Sequence, residues 1–171
     1  MDYNSLIDQL EQNKTLFYQL FNGLASEAYL WKPNPEKWCM LEVICHLYDE
    51  EREDFRVRLK STLETPEKEL PMFDPVAWVS ERKYIEQDYR QKTIAFLIER
   101  EASIQWLRSL ENPNWESAFM HPKLGSLSAH HFICNWVAHD YLHIRQATKL
   151  KYGYLKVISA NDLSYAGDWV L

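Results

Sequence analysis

His139 and His143 are the residues in this sequence whose type and spacing most directly suggest chemistry. They lie within residues 126–152, a run without proline or glycine that is long enough for about seven turns of helix. In a helix, residues four apart share a face with Cβ atoms about 5–6 Å apart, a spacing at which two imidazoles bind one metal ion. The pair predicts part of a metal site, although ordinary hydrogen-bonded histidines give the same pattern.

The residues around this pair predict its surroundings. Trp136, Leu142 and Ile144 lie close to it on the predicted helix and favour an apolar environment, with Trp136 as part of a pocket. Asn135 precedes the pair by four residues and Gln146 follows it by three, so both are candidates to line that pocket. Either is equally typical of a polar residue at the margin of a helical bundle.

His46 is the third candidate ligand, because it is the one histidine in the first 120 residues and lies on an apolar helix face beside Val43 and Leu47. A solitary histidine on such a face is often a core residue with ordinary hydrogen bonds. If its helix faces the one that carries the pair, ligation explains it better, because helical bundles build metal sites from facing helices. Three histidines leave coordination positions open, which indicates a catalytic site and not a structural one.

Glu50 is the candidate catalytic residue. It follows His46 by four residues and should share its helix face, where it could orient that ligand or act as a general base. The alternative interpretation is one more solvated acid within the acidic stretch 49–54.

This ligand set indicates the chemistry. Three neutral imidazoles leave the charge of a divalent ion uncompensated, so a bound water or thiol has a lowered pKa. Hydroxide formed in this way would hydrolyse a substrate, whereas the thiolate of a low-molecular-weight thiol would transfer its sulfur to an electrophile. All-imidazole ligation suits zinc, nickel, copper or iron. The residues do not decide between the two reactions, and a metal-free helical interaction protein with core histidines is the alternative from another class.

Composition limits the remaining classes. The 171 residues fit one domain, residues 1–171, and the 46% hydrophobic and 26% charged content is that of a globular protein. A net charge of −6 without a basic block argues against nucleic-acid binding. No apolar run reaches the roughly 18–20 residues of a membrane span, and the acidic, polar start is not a signal peptide, so we expect a cytoplasmic location.

The seven prolines fall in three clusters that divide the chain into four segments with helical periodicity, because proline interrupts helix interiors. The predicted helices span about residues 4–22, 39–63, 81–110 and 126–152. No segment alternates with a period of two, so no strand is predicted. The long link 64–80 suggests a crossover between parallel helices. The sequence therefore predicts an all-α four-helix bundle with one long crossover connection between helices 2 and 3.

The same pattern predicts the ends and faces of these helices. Ser126 or Ser128 is expected to cap the start of the last helix and Gly153 to end it. The C-terminal residues 169–171 (Trp169, Val170, Leu171) could pack back on the bundle. The residues predicted to face inward are Leu6, Leu10, Phe17, Leu20, Phe21, Val43, Leu47, Leu59, Ile85, Tyr89, Phe96, Leu97, Ile104 and Leu107.

A family resemblance follows from short motifs on the second and fourth helices. The residues that carry it are Trp38 with His46-Leu47-x-Asp49, and Gly125-x-Leu127-Ser128 before His139-Asp140-x-x-His143-Ile144-x-Gln146. Together with the order of elements and the long second connection, they resemble the DinB/YfiT superfamily of bacterial four-helix metalloproteins. The resemblance spans most of the chain.

The resemblance implies a function. Members of that family bind a divalent metal, commonly nickel or zinc, through three histidines that here would be His46, His139 and His143. Asp49 matches the family's recurring acid and is a candidate to support the ligands from outside the coordination shell. The family includes thiol S-transferases that use bacillithiol-like or mycothiol-like cofactors, as well as metal-dependent hydrolases, and its members often form dimers. We therefore expect a small-molecule substrate, a homodimer, and thiol transfer in preference to hydrolysis.

Overall fold

A computed structural model gives the fold and describes residues 2–70, 72 and 74–167. This part of the chain is mostly helical with one short hairpin. Its α-helices are α1 (Tyr3–Phe21), α2 (Ser26–Tyr29), α3 (Met40–Glu50), α4 (Arg56–Glu64), α5 (Trp78–Glu81), α6 (Tyr89–Arg108) and α7 (Ala129–Ser159). Its strands are β1 (Ala118–His121) and β2 (Gly125–Ser128). A π-helical turn (Glu51–Phe55) joins α3 directly to α4, and 3-10 turns span Tyr84–Glu86 and Ser164–Ala166.

The four long helices of the bundle are α1, the continuous unit of α3 and α4, α6 and α7. Contacts show that the α3–α4 unit and α6 run in the same direction, because Glu51 contacts Arg100 and Arg56, further along, contacts Ser103. The connection between them, residues 65–88, contains α5 and a 3-10 turn. These observations confirm the predicted all-α four-helix bundle with a long crossover between its second and third helices.

The third bundle helix begins later than the sequence pattern suggested. α6 starts after Asp88, whose carboxylate accepts a 2.7 Å hydrogen bond from the backbone N–H of Gln91 and so caps the helix. The predicted start near residue 81 is wrong, because residues 78–86 contain α5 and a separate 3-10 turn. Ile85, predicted to face inward, lies in that turn and is 45% exposed.

The hairpin of β1 and β2 corrects the prediction that the chain has no strands. The two strands pair antiparallel with Phe119 opposite Leu127, and both of these side chains are buried. Gly125 begins β2 with a φ of +77°, in the left-handed region that favours glycine. Each strand has four residues, which is too short for a period-two pattern to stand out in the sequence.

α7 carries two of the three candidate ligands and extends further than predicted. The hydroxyl of Ser128 accepts a 3.1 Å hydrogen bond from the backbone N–H three residues later, so Ser128 is the N-cap. The predicted stop at Gly153 is wrong, since α7 continues to Ser159. A Cβ atom at position 153 would lie 2.6 Å from Cη2 of Trp31. The glycine therefore permits close packing against the tryptophan and does not end the helix.

Apolar side chains fill the bundle in two clusters. The first contains Phe17, Phe21, Val43, Leu47, Phe96, Ala147 and Leu150. The second contains Leu6, Leu10, Leu59, Ile104, Leu107, Phe132, Ile133 and Trp136. The residues predicted to face inward are buried, apart from exposed Ile85 and half-buried Leu20 and Leu97.

Two expectations concern the membrane and the C-terminus. Among the described residues, none of the helices combines the length and apolar character that crossing a bilayer requires. Trp169, Val170 and Leu171, for which packing on the bundle was expected, lie outside the described residues.

Candidate metal centre

The structure brings His46 on α3 together with His139 and His143 on α7. Nε2 of His139 lies 3.4 Å from Nε2 of His46 and 3.0 Å from Nε2 of His143. One ligand nitrogen from each residue lies within 4.8 Å of the other two. His46 and His143 are buried, and His139 is half-buried. The three predicted ligands therefore meet at one point between two facing helices.

This donor set fits a divalent metal ion. Imidazole nitrogens bound at about 2.0–2.1 Å from one ion are about 2.8–3.4 Å apart in octahedral or tetrahedral geometry. The Nε2–Nε2 separations of 3.0 and 3.4 Å fall within that range. Three protein nitrogens leave further coordination positions for water or substrate.

The surroundings keep the three imidazoles neutral, which is the state in which they bind metal. Burial, and then the neighbouring His143, lowers the pKa of His46 to about 3. Burial, and then His143, His46 and Arg100, lowers the pKa of His139 to about 2. Burial lowers the pKa of His143 to about 4, and its hydrogen bond with Gln146 opposes that shift. At neutral pH the clustered nitrogens are thus free of positive charge.

Gln146 fixes the orientation of one ligand. Its Oε1 lies 2.8 Å from Nδ1 of His143. When Nδ1–H donates to this oxygen, the lone pair of Nε2 points toward the other two histidines, as ligation requires. Gln146, predicted to lie at the pocket, therefore contacts a candidate ligand directly.

Glu50 faces the other nitrogen of His46. Nδ1 of His46 is buried and makes no hydrogen bond within the part of the chain that the structure describes. Oε1 of Glu50 lies 4.0 Å from that nitrogen, slightly beyond hydrogen-bonding distance. Glu50 is 5% exposed, so the interpretation of a solvated surface acid is wrong. The carboxyl therefore lies beside the ring nitrogen of His46 that faces away from the nitrogen of His139.

The protonation of Glu50 depends on what lies beside it. Burial, and then the carboxylate of Asp54, raises the pKa of Glu50 to about 9. Arg58 forms an ion pair with Asp54 one helical turn further along. In the metal-free protein Glu50 therefore holds a proton at neutral pH, and a nearby cation lowers its pKa and favours the carboxylate.

Aromatic rings form the walls of the site. The ring of Trp38 lies 4.9 Å from the ring of His46, and the ring of Phe55 lies 4.9 Å from the ring of His139. Trp136 stacks on Phe55 at a centroid distance of 5.8 Å. The surroundings are apolar, as expected, and Trp136 contributes to them through Phe55.

Two residues predicted at the pocket point elsewhere. Leu142, expected to give the pair apolar surroundings, is 54% exposed. Asn135 is exposed, and its amide donates a 2.8 Å hydrogen bond to the backbone oxygen of His131. The geometry of Asn135 agrees with the alternative of a polar residue at the bundle margin.

Asp49 lies on the side of α3 that faces the crossover connection. Its Oδ2 accepts a 2.7 Å hydrogen bond from the hydroxyl of Tyr84 and forms a 2.8 Å ion pair with Arg82. Both partners belong to residues 78–86. The carboxylate of Asp49 therefore ties the crossover to the helix that carries His46, and the ligand-supporting contact at His143 comes from Gln146.

Sequence reasoning missed two features of the site. The π-helical turn adds one residue to the helix after Glu50, and this brings Phe55 onto the histidine face, five residues after Glu50. The guanidinium of Arg100 is completely buried beside the site, between Glu51 and Asp140. Asp140 belongs to the motif that carries the family resemblance, and the spacing along the chain gives no signal for its pairing with Arg100.

Comparisons with known proteins agree with the observed fold. Residues 9–147 match the sequence profile of the DinB superfamily. No curated protein matches the sequence at a significant level. Among solved structures, the chain is similar to YfiT from Bacillus subtilis with a TM-score of 0.76 and 19% identity, over 87% of this chain and 85% of that one. That protein is described as a probable metal-dependent hydrolase with an unusual four-helix bundle topology.

Proposed function

The chain belongs to the DinB superfamily, and from this premise we propose that it is an enzyme whose divalent metal ion is held by His46, His139 and His143. The observation that carries the proposal is the convergence of three Nε2 atoms, at separations of 3.4 and 3.0 Å, on two facing helices. Two imidazoles can share a hydrogen bond at such a distance, but three ligand nitrogens that meet at one point form the arrangement that a single metal ion requires. Zinc and nickel are the ions we expect first, with iron or copper as alternatives.

The ion and the protein have separate roles. When bound, the ion acts as a Lewis acid that lowers the pKa of a water or thiol, giving a nucleophile near neutral pH. Gln146 holds His143 in the ligating tautomer, and Glu50 either orients His46 or acts as the general base. Trp38 and Phe55 limit the access of bulk water to the centre.

The reaction that we propose is transfer of a low-molecular-weight thiol, of the bacillithiol kind, to an electrophilic small molecule. The family resemblance supports it, because the family includes thiol S-transferases, and so does the apolar wall, which suits the organic part of an electrophile. Hydrolysis is the second candidate, supported by the description of YfiT as a probable metal-dependent hydrolase. Two probes separate them: thiol-dependent conjugation of monochlorobimane, and thiol-independent hydrolysis of a p-nitrophenyl ester.

The metal is tested by elemental analysis of untagged protein after incubation with zinc or nickel and removal of the excess. We expect about one ion per chain in the wild type and a loss of it in His143→Ala. His131→Ala is the matched control, because His131 lies on the same helix and is exposed. All three proteins should have the same helical circular dichroism. A wild type without metal above background would leave a metal-free helical interaction protein as the remaining interpretation.

The assembly remains a prediction from the family resemblance. We propose a homodimer, for which light scattering should give twice the chain mass of 20.5 kDa. A mass of one chain at micromolar concentration would contradict it.

A further inference from the structure

A buried polar layer crosses the bundle between the two apolar clusters. Each long helix contributes to it at the same level: α1 through Asn13, the π-helical turn through Glu51, α6 through Arg100 and α7 through Asp140. On every long helix, the inward residues on one side of the layer belong to the first apolar cluster. Those on the opposite side of the layer belong to the second cluster. The layer is thus a defined position in the bundle and not an irregularity of one helix.

Arg100 is the centre of this layer. Its Nη1 and Nη2 donate hydrogen bonds of 2.6 and 2.7 Å to the two carboxylate oxygens of Asp140. Its Nε lies 3.0 Å from both oxygens of Glu51. Asn13 donates to Asp140 at 3.1 Å, and the indole N–H of Trp136 donates to Glu51 at 3.2 Å. One planar guanidinium therefore holds two carboxylates in a fixed relative position.

The two carboxylates lie next to the metal centre along the chain. Asp140 directly follows His139 on α7, and Glu51 is five residues after His46, about 7.5 Å along the helix axis. The candidate ligands come from these same two helices. The distance from Glu51 to Asp140 across Arg100 is therefore coupled to the distance between His46 and His139.

The energetics of the layer favour a positioning role over a stabilising one. The side chains of Arg100, Glu51 and Asp140 are 1%, 1% and 0% exposed, so all three charged groups have lost their hydration. Burying such groups costs several kcal/mol for each ion, and apolar residues of similar volume are often equally stable or more so. What apolar residues lack is a unique geometry, since the guanidinium bonds specify how the two helices face each other.

We propose that Arg100 is the positioning residue of the three-histidine centre: it sets the spacing between the helix that carries His46 and the helix that carries His139 and His143. The expected effect on metal binding rests on the proposed metal function, but the effect of Arg100 on the spacing of the two helices can be tested without metal. In the wild type the histidine nitrogens are already at ligating separations, so binding requires little rearrangement. Loss of the guanidinium lets the two helices adopt other relative positions and weakens metal binding.

The decisive variant is Arg100→Lys, which keeps a positive charge but cannot bind two carboxylates through a planar fork. Arg56→Lys is the matched control, because Arg56 on α4 also bridges to α6, through Glu99 at 2.6 Å and Ser103 at 3.3 Å, outside the histidine cluster. If Arg100→Lys does not fold, Glu51→Gln replaces it, since Arg100 and Asp140 then remain a neutral pair. Urea unfolding measures the stability of every variant.

The first readout is nickel and cobalt affinity, measured by competition with a chromophoric chelator, together with the visible spectrum of bound cobalt. We expect Arg100→Lys to bind about tenfold to hundredfold more weakly than the wild type, with an altered cobalt spectrum. Arg56→Lys should stay within about twofold and keep the wild-type spectrum. Equal losses in the two variants at equal stability would overturn the proposal.

The second readout uses the metal-free protein. Nuclear Overhauser contacts between the ring protons beside Nε2 of His46 and of His139 should be present in the wild type and Arg56→Lys, and lost in Arg100→Lys. Unchanged contacts and unchanged metal affinity in Arg100→Lys would remove Arg100 from the site while leaving the metal function standing. A wild type that binds no metal, yet shows contacts that Arg100→Lys loses, would refute the metal function and support the positioning role.

Discussion

Oε1 of Gln146 lies 2.8 Å from Nδ1 of His143, which precedes Gln146 by about one helical turn on α7. This contact assigns the proton of His143 to Nδ1 and leaves Nε2 as the ligating nitrogen. Because both residues are on one helix, the orientation of the ligand does not depend on any other element. The sequence predicted Gln146 only as a candidate to line the pocket, and the contact with His143 comes from the structure.

Replacing this glutamine should weaken metal binding without unfolding the protein. For Gln146→Ala we expect a metal affinity about tenfold to hundredfold lower, because partners of ligating histidines commonly contribute that much. Gln105→Ala, which removes an exposed amide on α6, is the control. Chelator competition measures the affinity, and circular dichroism checks the fold. An affinity equal to that of the control would show that Gln146 does not orient His143.

Glu50→Gln should retain metal and lose turnover. The substitution keeps the size of the side chain and its place beside His46 but removes the carboxylate that a general base requires. We expect turnover of whichever probe reaction the wild type catalyses to fall about 10²-fold or more. Glu53→Gln, three residues further along the same helix, is the control. Undiminished turnover in Glu50→Gln would exclude Glu50 from the chemistry, and a parallel loss of metal would make it a support of His46 instead.

Local patterns predicted much of this structure, because they depend on neighbours along the chain. Helical periodicity and proline positions gave four helices and the crossover, and the spacing of four between His139 and His143 placed both on one face. Placing His46 beside this pair required the further assumption that its helix faces α7. In the structure the two helices face each other, and Nε2 of His46 lies 3.4 Å from Nε2 of His139.

Features that depend on distant partners could not be predicted in this way. In the sequence, Arg100 is typical of a solvated charge on a helix. It is buried because it pairs with Glu51 and Asp140, which are 49 and 40 residues away along the chain. The π-helical turn that directs Phe55 to the site leaves no local signature, since its residues are also typical of a regular helix. The role of Gly153 could not be predicted, because the ring that it packs against, Trp31, lies in another part of the chain.

Asp49→Asn should destabilise the fold and leave metal stoichiometry unchanged. Asp49 accepts a hydrogen bond from the hydroxyl of Tyr84 and forms an ion pair with Arg82. Both partners lie in the crossover, so the negative charge of Asp49 helps to hold that segment against α3. We expect a loss of about 1–3 kcal/mol in the free energy of unfolding. Tyr84→Phe should produce part of the same loss, and the double variant should cost less than the sum. A metal loss specific to Asp49→Asn would contradict this interpretation.

The metal-free protein should lose stability in mild acid because of its histidines. Burial lowers the pKa of His46 to about 3, below the value of about 6.5 in the unfolded chain. Between these values the unfolded state binds more protons, so the contribution of His46 to stability is present above about pH 6.5 and falls as the pH is lowered. His46→Gln removes the pH-dependent contribution of His46 to the free energy of unfolding, whereas Glu50 and the other acids titrate in both proteins. Urea unfolding from pH 7 to pH 4.5 should therefore show a steeper decline in the wild type, by up to about 1.4 kcal/mol per pH unit; parallel curves would contradict it.

The close packing of Gly153 and Trp31 predicts that Gly153→Ala changes the free energy of unfolding in opposite directions with and without the indole ring. Alanine in place of glycine inside a helix normally stabilises by about 1 kcal/mol. Here the added Cβ would lie 2.6 Å from the indole, and overpacking of this kind costs about 1–3 kcal/mol. Gly153→Ala should therefore lower the free energy of unfolding in the wild type, yet raise it when Trp31→Leu has removed the ring. Stabilisation in both backgrounds would show that the tryptophan moves aside freely, and that the glycine does not serve this contact.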